Sequence, residues 1–500
     1  MYLYNYLAKS KRAQAIFVFI LATFGGYAQL YPGFNSGNYA GISGATHNPA
    51  SLANNPYRFD IVFIGANFFG DNNYGMLRRD NPFLNFSDFD GELIRDNNIK
   101  YGMANIEVMA LSFMIKLNNS SAIGFSSRVR SYFNARGLTG DLANAMADGF
   151  DNSEFFDEQF SNQKFRLDFH SWREHAISYA WIVQKHSDMK IKAGVTAKLL
   201  YGNAAAFANF ATPNFANVGA KLLQIPDFLL EYGYSDNFDG IDDDNYKYKR
   251  GNKFNLGLDL GIQYEYYDSQ RGANPSQTKI IQDFNKQTEY VAKYKYRIGL
   301  ALLDVGRIKY QLGESSGVAT AANTTNDVID LDNLDGTWED PDIFRDSLST
   351  MIDLNRLDGD YTVGLPTSLK VDIDYNLNNG FYLNSSVLVN LNSLKWTNSK
   401  IGDYTNLTIT PRWEKHWVGF YAPIYLNTQG QFNLGAAFHI GPLVFGLHDV
   451  LPFLTRKEAT SGGAYFMLKT FVGPKKIKSR NKRCGPTGWE KGKKVKKKQI

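Results

Sequence analysis

The sequence predicts an all-β fold: a transmembrane antiparallel β-barrel of about fourteen strands, with a short N-terminal plug and long extracellular loops. Three observations carry this. Many segments alternate apolar and polar residues with a period of two, the mark of a strand between two different solvents. The connections between them alternate short and long, as the two ends of a membrane barrel require. The chain also opens like a secreted protein and then has no window of ~18 apolar residues that could form a spanning helix.

The address comes first. Lys9, Lys11 and Arg12 precede a mostly apolar run over 13–23, and Gly26 and Ala28 supply small residues before Gln29. Residues 1–28 thus read as a secretory signal peptide cleaved before Gln29. The apolar run falls short of the ~20 residues of a membrane anchor, and no cysteine at the cleavage site offers lipid attachment. The one cysteine, Cys484, excludes an intramolecular disulfide framework and a cysteine-based metal cluster. Aromatics at 15% of the chain, with frequent Gly and Asn, suit many strands joined by polar turns.

The alternation is cleanest in three places. Met189, Ile191, Ala193, Val195, Ala197, Leu199 and Tyr201 interleave with Lys190, Lys192, Gly194, Thr196 and Lys198. Leu256, Leu258, Leu260 and Ile262 interleave with Gly257, Asp259, Gly261 and Gln263, and Leu369, Val371, Ile373 and Tyr375 with Lys370, Asp372 and Asp374. A soluble sandwich also alternates, but the strand length and the aromatic ends, as at Tyr201 and Tyr264, favour a membrane. Strands are expected near 60–70, 101–117, 121–134, 165–185, 189–207, 253–267, 294–312, 367–377, 381–391, 403–414, 417–427, 431–439, 442–449 and 463–471. Tight connections fall at 118–120, 186–188, 378–380, 415–416 and 440–441. Long ones fall at 71–100, 135–164, 208–252, 313–366 and 392–402. The exceptions are a long periplasmic stretch, 268–293, and a short outer turn at 428–430. The barrel proper is expected over 59–472.

Residues 29–58, before the first strand, are rich in Gly, Ala and Asn and suit a small hatch packed inside the barrel, where small residues permit close backbone approach. Asn48-Pro49-Ala50 stands just ahead of the first strand. In this the chain resembles the long-chain fatty-acid channel (FadL) superfamily, whose members carry an Asn-Pro-Ala stretch in an N-terminal hatch. The resemblance implies a fourteen-stranded barrel plugged by its own N-terminus, with Asn48, Pro49 and Ala50 at the gate. The whole chain also resembles a family of Bacteroidota outer-membrane barrels of unknown function, through 41–53 and through Arg297-Ile298-Gly299-Leu300-Ala301-Leu302-Leu303-Asp304-Val305-Gly306. That resemblance carries over no catalytic residue.

A search for chemistry ends empty. His170 and His175 lie five apart on one strand, hence on opposite faces, which spoils shared metal ligation. No His-Glu-x-x-His, phosphate loop or Gly-x-Ser-x-Gly occurs. No enzyme activity, cofactor or metal is expected. Acidic runs at Asp236, Asp239, Asp242, Asp243 and Asp244, and at Asp330, Asp332, Asp335, Glu339, Asp340 and Asp342, miss the calcium-loop register and read as solvated loops.

The inward parity carries Arg128, Arg130, Lys190, Lys192, Lys198, Lys295, Arg297 and Lys370 against Asp259, Glu265, Asp372 and Asp374. Such charges either pair across strands and close the lumen, or line a hydrated path for a polar solute; closure is the favoured reading. A greasy fatty-acid duct would hold fewer charges.

Residues 473–500 form a basic tail with Lys475, Lys476, Lys478, Arg480, Lys482, Arg483 and Trp489, net +11 in a chain of +5 overall, so the rest carries −6. Strand parity puts it in the periplasm of a Gram-negative cell, where it would dock on an acidic surface: a periplasmic or outer-membrane protein, lipid head groups or the cell wall. Nucleic acid is excluded by compartment. Two functions follow: a channel for a small hydrophobic or amphipathic solute embedded in outer-membrane lipid, or a non-transporting barrel that acts as scaffold in an outer-membrane assembly.

Overall fold

The computed structural model describes residues 31–79, 89–239, 253–268, 281–282, 288–289, 294–323, 327–337, 341–392, 399–402, 404–454 and 458–473. The signal peptide, the tail residues from Lys475 to Trp489, and Asp242, Asp243, Asp244, Glu339 and Asp340 lie outside them.

Fourteen strands form a closed antiparallel ring. In chain order they are β1 (Phe59–Asn72), β2 (Lys100–Met109 with Ser112–Lys116), β3 (Ser121–Leu138), β4 (Gln159–Lys185), β5 (Met189–Gly219), β6 (Phe254–Tyr266) and β7 (Tyr296–Gln311). Then come β8 (Ser368–Asn378), β9 (Phe381–Asn390), β10 (Asn406–Glu414), β11 (Val418–Tyr421 with Ile424–Asn427), β12 (Phe432–Leu434 with Ala436–Ile440), β13 (Leu443–Leu447) and β14 (Ser461–Val472). β14 pairs with β1, Phe59 opposite Val472, and so removes both sheet edges. No helix among the described residues is long and apolar enough to cross a membrane.

Alternation makes two surfaces. On β6, Leu256, Leu258, Leu260 and Ile262 are exposed while Asp259, Gln263 and Glu265 are buried. The same outward greasy face continues through Ile177, Ile298, Ile373, Leu383, Phe420 and Phe445 around the ring. An apolar band with its polar parity hidden inside is the inverse of a soluble barrel and fits lipid. The tight turns lie at one end. Asn378 pairs with Phe381, so Asn379 and Gly380, both at positive φ, form a two-residue turn whose twist matches the strands.

Two strands overrun the expectation. β4 and β5 are 27 and 31 residues long, so 159–164 and 208–219, read as loop, are strand. At ~3.3 Å per residue β5 reaches roughly 100 Å, far beyond the 9–11 residues a bilayer needs. The excess pairs with itself, Phe160 opposite Phe215 and Lys164 opposite Ala211. It is stabilised by an apolar core of its own: Phe160, Phe215, Leu223, Phe228, Ala319 and Ile352 are buried together. Helices α1 (Gly140–Asp148) and α2 (Pro341–Ser349) and the short strands Leu222–Gln224, Leu229–Tyr234, Gly317–Ala322, Val328–Asp330 and Ile352–Arg356 complete this outer cap. Much of what alternation alone left as outer loop is a second packed layer.

Near the outer rim the wall is kinked by bulges. The pairing of β4 with β5 skips Asn203, between Ser171–Ala204 and Trp172–Gly202. The pairing of β6 with β7 slips between Leu258–Val305 and Leu260–Leu302, which leaves one extra residue in β7. An extra residue reverses side-chain parity. Below it Arg297 and Ala301 face inward; above it Ile308 and Tyr310 do.

Candidate functional site

The candidate site is the plugged interior of the ring, which has three layers. The lowest is the hatch. Residues 31–58 lie inside the ring and form two short 3₁₀ helices, Gly41–Thr46 and Pro49–Leu52. Asn48 sets the second: its Oδ1 accepts from Ala50 N at 2.9 Å, and Pro49 supplies a pre-set φ at the first position. The Asn48 Nδ2 donates to Ile262 O (3.2 Å) and Leu300 O (3.3 Å), so one side chain both starts the turn and ties it to β6 and β7.

The wall opposite is cut to fit. Ala122, Ala180, Gly194, Gly261 and Ala301 are paired in register across β3, β4, β5, β6 and β7, forming one row of small residues. A Cβ on Gly194 would lie 2.4 Å from Ala50 N and from Pro49 C, and one on Gly261 would lie 2.2 Å from Asn48 Oδ1. The row ends at Lys370 of β8, opposite Ala301, whose Nζ lies 2.7 Å from His47 Nδ1. The other ring nitrogen of His47 faces Asp372 Oδ1 at 3.5 Å. Ile42 and Leu52 pack on the apolar inner faces of Val62, Met114, Ala122 and Met467.

Further anchors are polar. Asp60 Oδ1 accepts from Ile42 N at 2.8 Å, and Lys469 Nζ donates to Tyr39 O and Ala40 O. Arg297 donates to Ser36 O at 2.7 Å, and Asn38 Nδ2 donates to Glu414 Oε1 at 2.6 Å. The wall partners are already paired among themselves. Lys469 meets Asp60 at 2.8 Å, Arg412 grips Asp374 with two 2.7 Å bonds and meets Glu414 at 3.2 Å, and Arg297 reaches Asp374 at 3.0 Å.

Above the hatch lies an ionic layer. Arg128 bridges Glu107 and Glu174; Arg130 bridges Glu107, Glu174 and, at 2.9 Å, Asp304; Lys198 meets Asp259 at 2.7 Å and Asp304 at 2.5 Å. The Arg130–Asp304 contact joins β3 to β7, four strands along the ring, and therefore crosses the lumen. A void of about 20 Å³ remains among Thr46, Arg130, Lys198, Asp304 and Ser368, room for about one water.

The third layer closes the mouth at the end that carries the cap. Residues 360–365 and Ile401 turn inward, and Tyr361, Val363, Leu365 and Ile401 are buried with Tyr132, Trp172, Leu200, Phe207, Ile308 and Tyr310. Tyr361 stacks on Phe207 at 4.7 Å between ring centroids.

Eleven of the twelve charges expected in the lumen are buried inside the ring; Lys295 is only half-buried, 3.8 Å from Asp268. Lys190 lies at the turn end, 4.9 Å from the Tyr267 ring, beside the Lys192–Glu265 pair at 2.6 Å. The inventory missed Asp60, Glu107, Glu174, Asp304, Arg412, Glu414 and Lys469. Glu107, Glu174, Arg412, Glu414 and Lys469 stand on the inward parity of strands already drawn, so a fuller census finds them. Asp304 sits at the bulge, where parity fails. His170 is buried against Trp172 and Tyr310, while His175 faces outward beside Phe125 and Tyr201. In the cap, Asp332 and Asp335 both bond Lys221, at 2.6 and 2.7 Å, and hold its ammonium well above its usual range.

Residues 49–448 match a family of unknown function (DUF5723). No curated protein matches. Among solved structures, the toluene transporter TbuX of Ralstonia pickettii is 11% identical with a TM-score of 0.40, over 87% of this chain and 94% of that one. A Pseudomonas aeruginosa FadL homologue is 10% identical with a TM-score of 0.42, over 90% and 99%. The Pseudomonas putida toluene transporter TodX is 9% identical with a TM-score of 0.39, over 87% and 95%. At that distance function is argued from the interior itself.

Proposed function

The chain belongs to this family of unknown function, and we propose that it is a gated outer-membrane channel for a small hydrophobic or amphipathic solute, closed as described, with the hatch as its inner gate. One observation supports the reading above others: apart from Lys370 and Asp372, which meet His47, the charged wall residues that grip residues 36–42 keep an ion-pair partner in the wall when the hatch leaves. Asp60 keeps Lys469, Glu414 keeps Arg412, and Asp374 keeps both Arg297 and Arg412. What the hatch gives up is mainly single hydrogen bonds, each worth about 1 kcal/mol net, and water or a polar solute can replace them. A core element that completed buried ion pairs would be far costlier to displace. Asn48, Pro49 and Ala50 are the gate residues in this reading, and the charges above them set which solute passes.

The test is uptake. Cells producing the full chain, and cells carrying an empty vector, are offered a series of labelled solutes graded from neutral aromatic to amphipathic to fully charged. Facilitated entry of the apolar or amphipathic members is expected. Entry no faster than through the vector control for every member of the series would refute the channel.

A further inference from the structure

We propose that the outer mouth carries a second gate, separate from the hatch: a lid made of residues 360–365 with Ile401 and Gly402, hinged on the upper half of β7. This deepens the channel reading and rests on it for its purpose, though its mechanics can be tested alone.

The hinge is a change of partner. Below the bulge β7 pairs with β8, Tyr296 opposite Tyr375 through Leu303 opposite Ser368. Above it, β7 pairs with the lid, Arg307 opposite Gly364 through Gln311 opposite Asp360. The switch falls at Asp304, a non-glycine residue at φ +55°. Such a conformation persists only where the surroundings hold it, and here they do. The Asp304 carboxylate accepts from Arg130 and Lys198, its N–H donates to Asp259 Oδ1 at 2.7 Å, and its carbonyl accepts from the Thr367 hydroxyl. The ionic layer therefore clamps the point at which wall becomes lid.

Attachment is unequal on the two sides. Toward β7 the lid is held by a continuous backbone ladder of five residue pairs. Toward the opposite wall it has a discrete latch. Asn134 of β3 donates from Nδ2 to Gly402 O at 3.2 Å and accepts at Oδ1 from Gly402 N at 3.0 Å, and Tyr361 lies flat on Phe207 of β5. Opening would keep the ladder and break the two hydrogen bonds and the ring stack, and it would expose the apolar surface that Val363, Leu365 and Ile401 bury with Tyr132, Trp172 and Leu200. This is the asymmetry of a hinge and a catch. The lid's underside is apolar and packs with Tyr132 and Trp172, whose rings lie against Arg130, so opening it would bring an arriving solute to the edge of the ionic layer.

The arrangement also means that freeing the hatch alone leaves the path shut. The two gates stand in series, with Thr46 of the hatch and Pro366 beside the lid lining the same small void.

The experiment reads the lid without any solute. In the full chain with Cys484→Ser, Ser368→Cys places one thiol beneath the lid, where Ser368 is buried. Intact cells are exposed to a maleimide bearing a bulky sulfonated dye, which reaches only the outer face. Slow labelling is expected in this background. Asn134→Ala should speed it roughly tenfold, as loss of a two-bond latch implies, and Tyr361→Leu should act the same way if Asn134→Ala folds poorly. Gly194→Val, which disturbs the hatch seat, should leave the rate unchanged. Equal rates in the folded latch variants and their parent would overturn the lid, as would acceleration by Gly194→Val alone. A latch that speeds labelling in a chain that moves no solute would keep the lid and reject the channel, so the two failures are distinct.

Discussion

Lys469 on the last ring strand lies 2.8 Å from Asp60 on the first, so one buried ion pair bridges the seam at which the barrel closes. The same two side chains hold the hatch, Asp60 through Ile42 N and Lys469 through the carbonyls of Tyr39 and Ala40. Closure of the ring and seating of the plug thus share one electrostatic point.

Breaking that point should be expensive. Lys469→Met leaves Asp60 buried beside no cation, and removal of one partner of a buried pair typically costs about 3–5 kcal/mol. Urea unfolding in detergent should show this loss, while Lys309→Met, which breaks an exposed pair with Asp360, should change stability by less than about 1 kcal/mol. Similar midpoints for the two variants would show that the seam pair is not a structural clamp.

The glycine seat makes a steric prediction. Valine at Gly194 would bring its Cβ to 2.4 Å from the hatch backbone at Pro49 and Ala50, which cannot yield as a side-chain tip would. Valine suits a strand, so the wall should survive while the hatch lifts. Hydrogen exchange over 41–53 should accelerate strongly, with β4 and β6 unchanged. Protection retained over 41–53 would mean that the hatch is not seated on this row.

Asn48→Ala removes the turn's cap and both bonds to the wall. The expected loss of hatch protection is about 1–2 kcal/mol, the usual value of an N-cap together with a buried hydrogen bond. Asn48→Asp keeps the cap acceptor but turns a carboxylate oxygen on two carbonyl acceptors in a fully buried site, so in the same exchange measurement it should be at least as loose as Ala. An Asp variant tighter than Ala would assign most of the effect to the cap and not to the two wall contacts.

The outward face can be tested with charge. Leu260 stands mid-strand on β6 with its side chain exposed among Leu258, Ile262 and Leu300. Arginine there should cost about 2–4 kcal/mol in a bilayer, as at the midplane of other membrane barrels. Refolding into lipid vesicles measures the cost; a neutral result would place Leu260 outside the hydrocarbon.

Much of this was legible in the residues. The alternation of Lys190, Lys192 and Lys198 with Ile191, Val195 and Leu199 shows a strand between two solvents, and the short turns at 186–188 and 378–380 mark strand ends. The run from 37 to 53, rich in small residues and without Asp, Glu, Lys or Arg ahead of the first strand, suits a plug. The overrun of β4 and β5 was not legible, because Phe160 and Phe215 alternate above the membrane for a different reason, a soluble core built with residues more than a hundred positions away in the chain.

What the sequence determined by itself is which face of each strand meets which solvent, since that depends only on a period of two and on the polarity of the residue. The tertiary structure alone decided which charges meet. Arg130 and Asp304 are 174 positions apart and join only because the ring curves β3 toward β7. A single extra residue in β7 then turns Ile308 and Tyr310 inward and hands the upper strand to the lid. Pairing across a lumen and the placement of one bulge depend on closure and register, and no local pattern of residues encodes either.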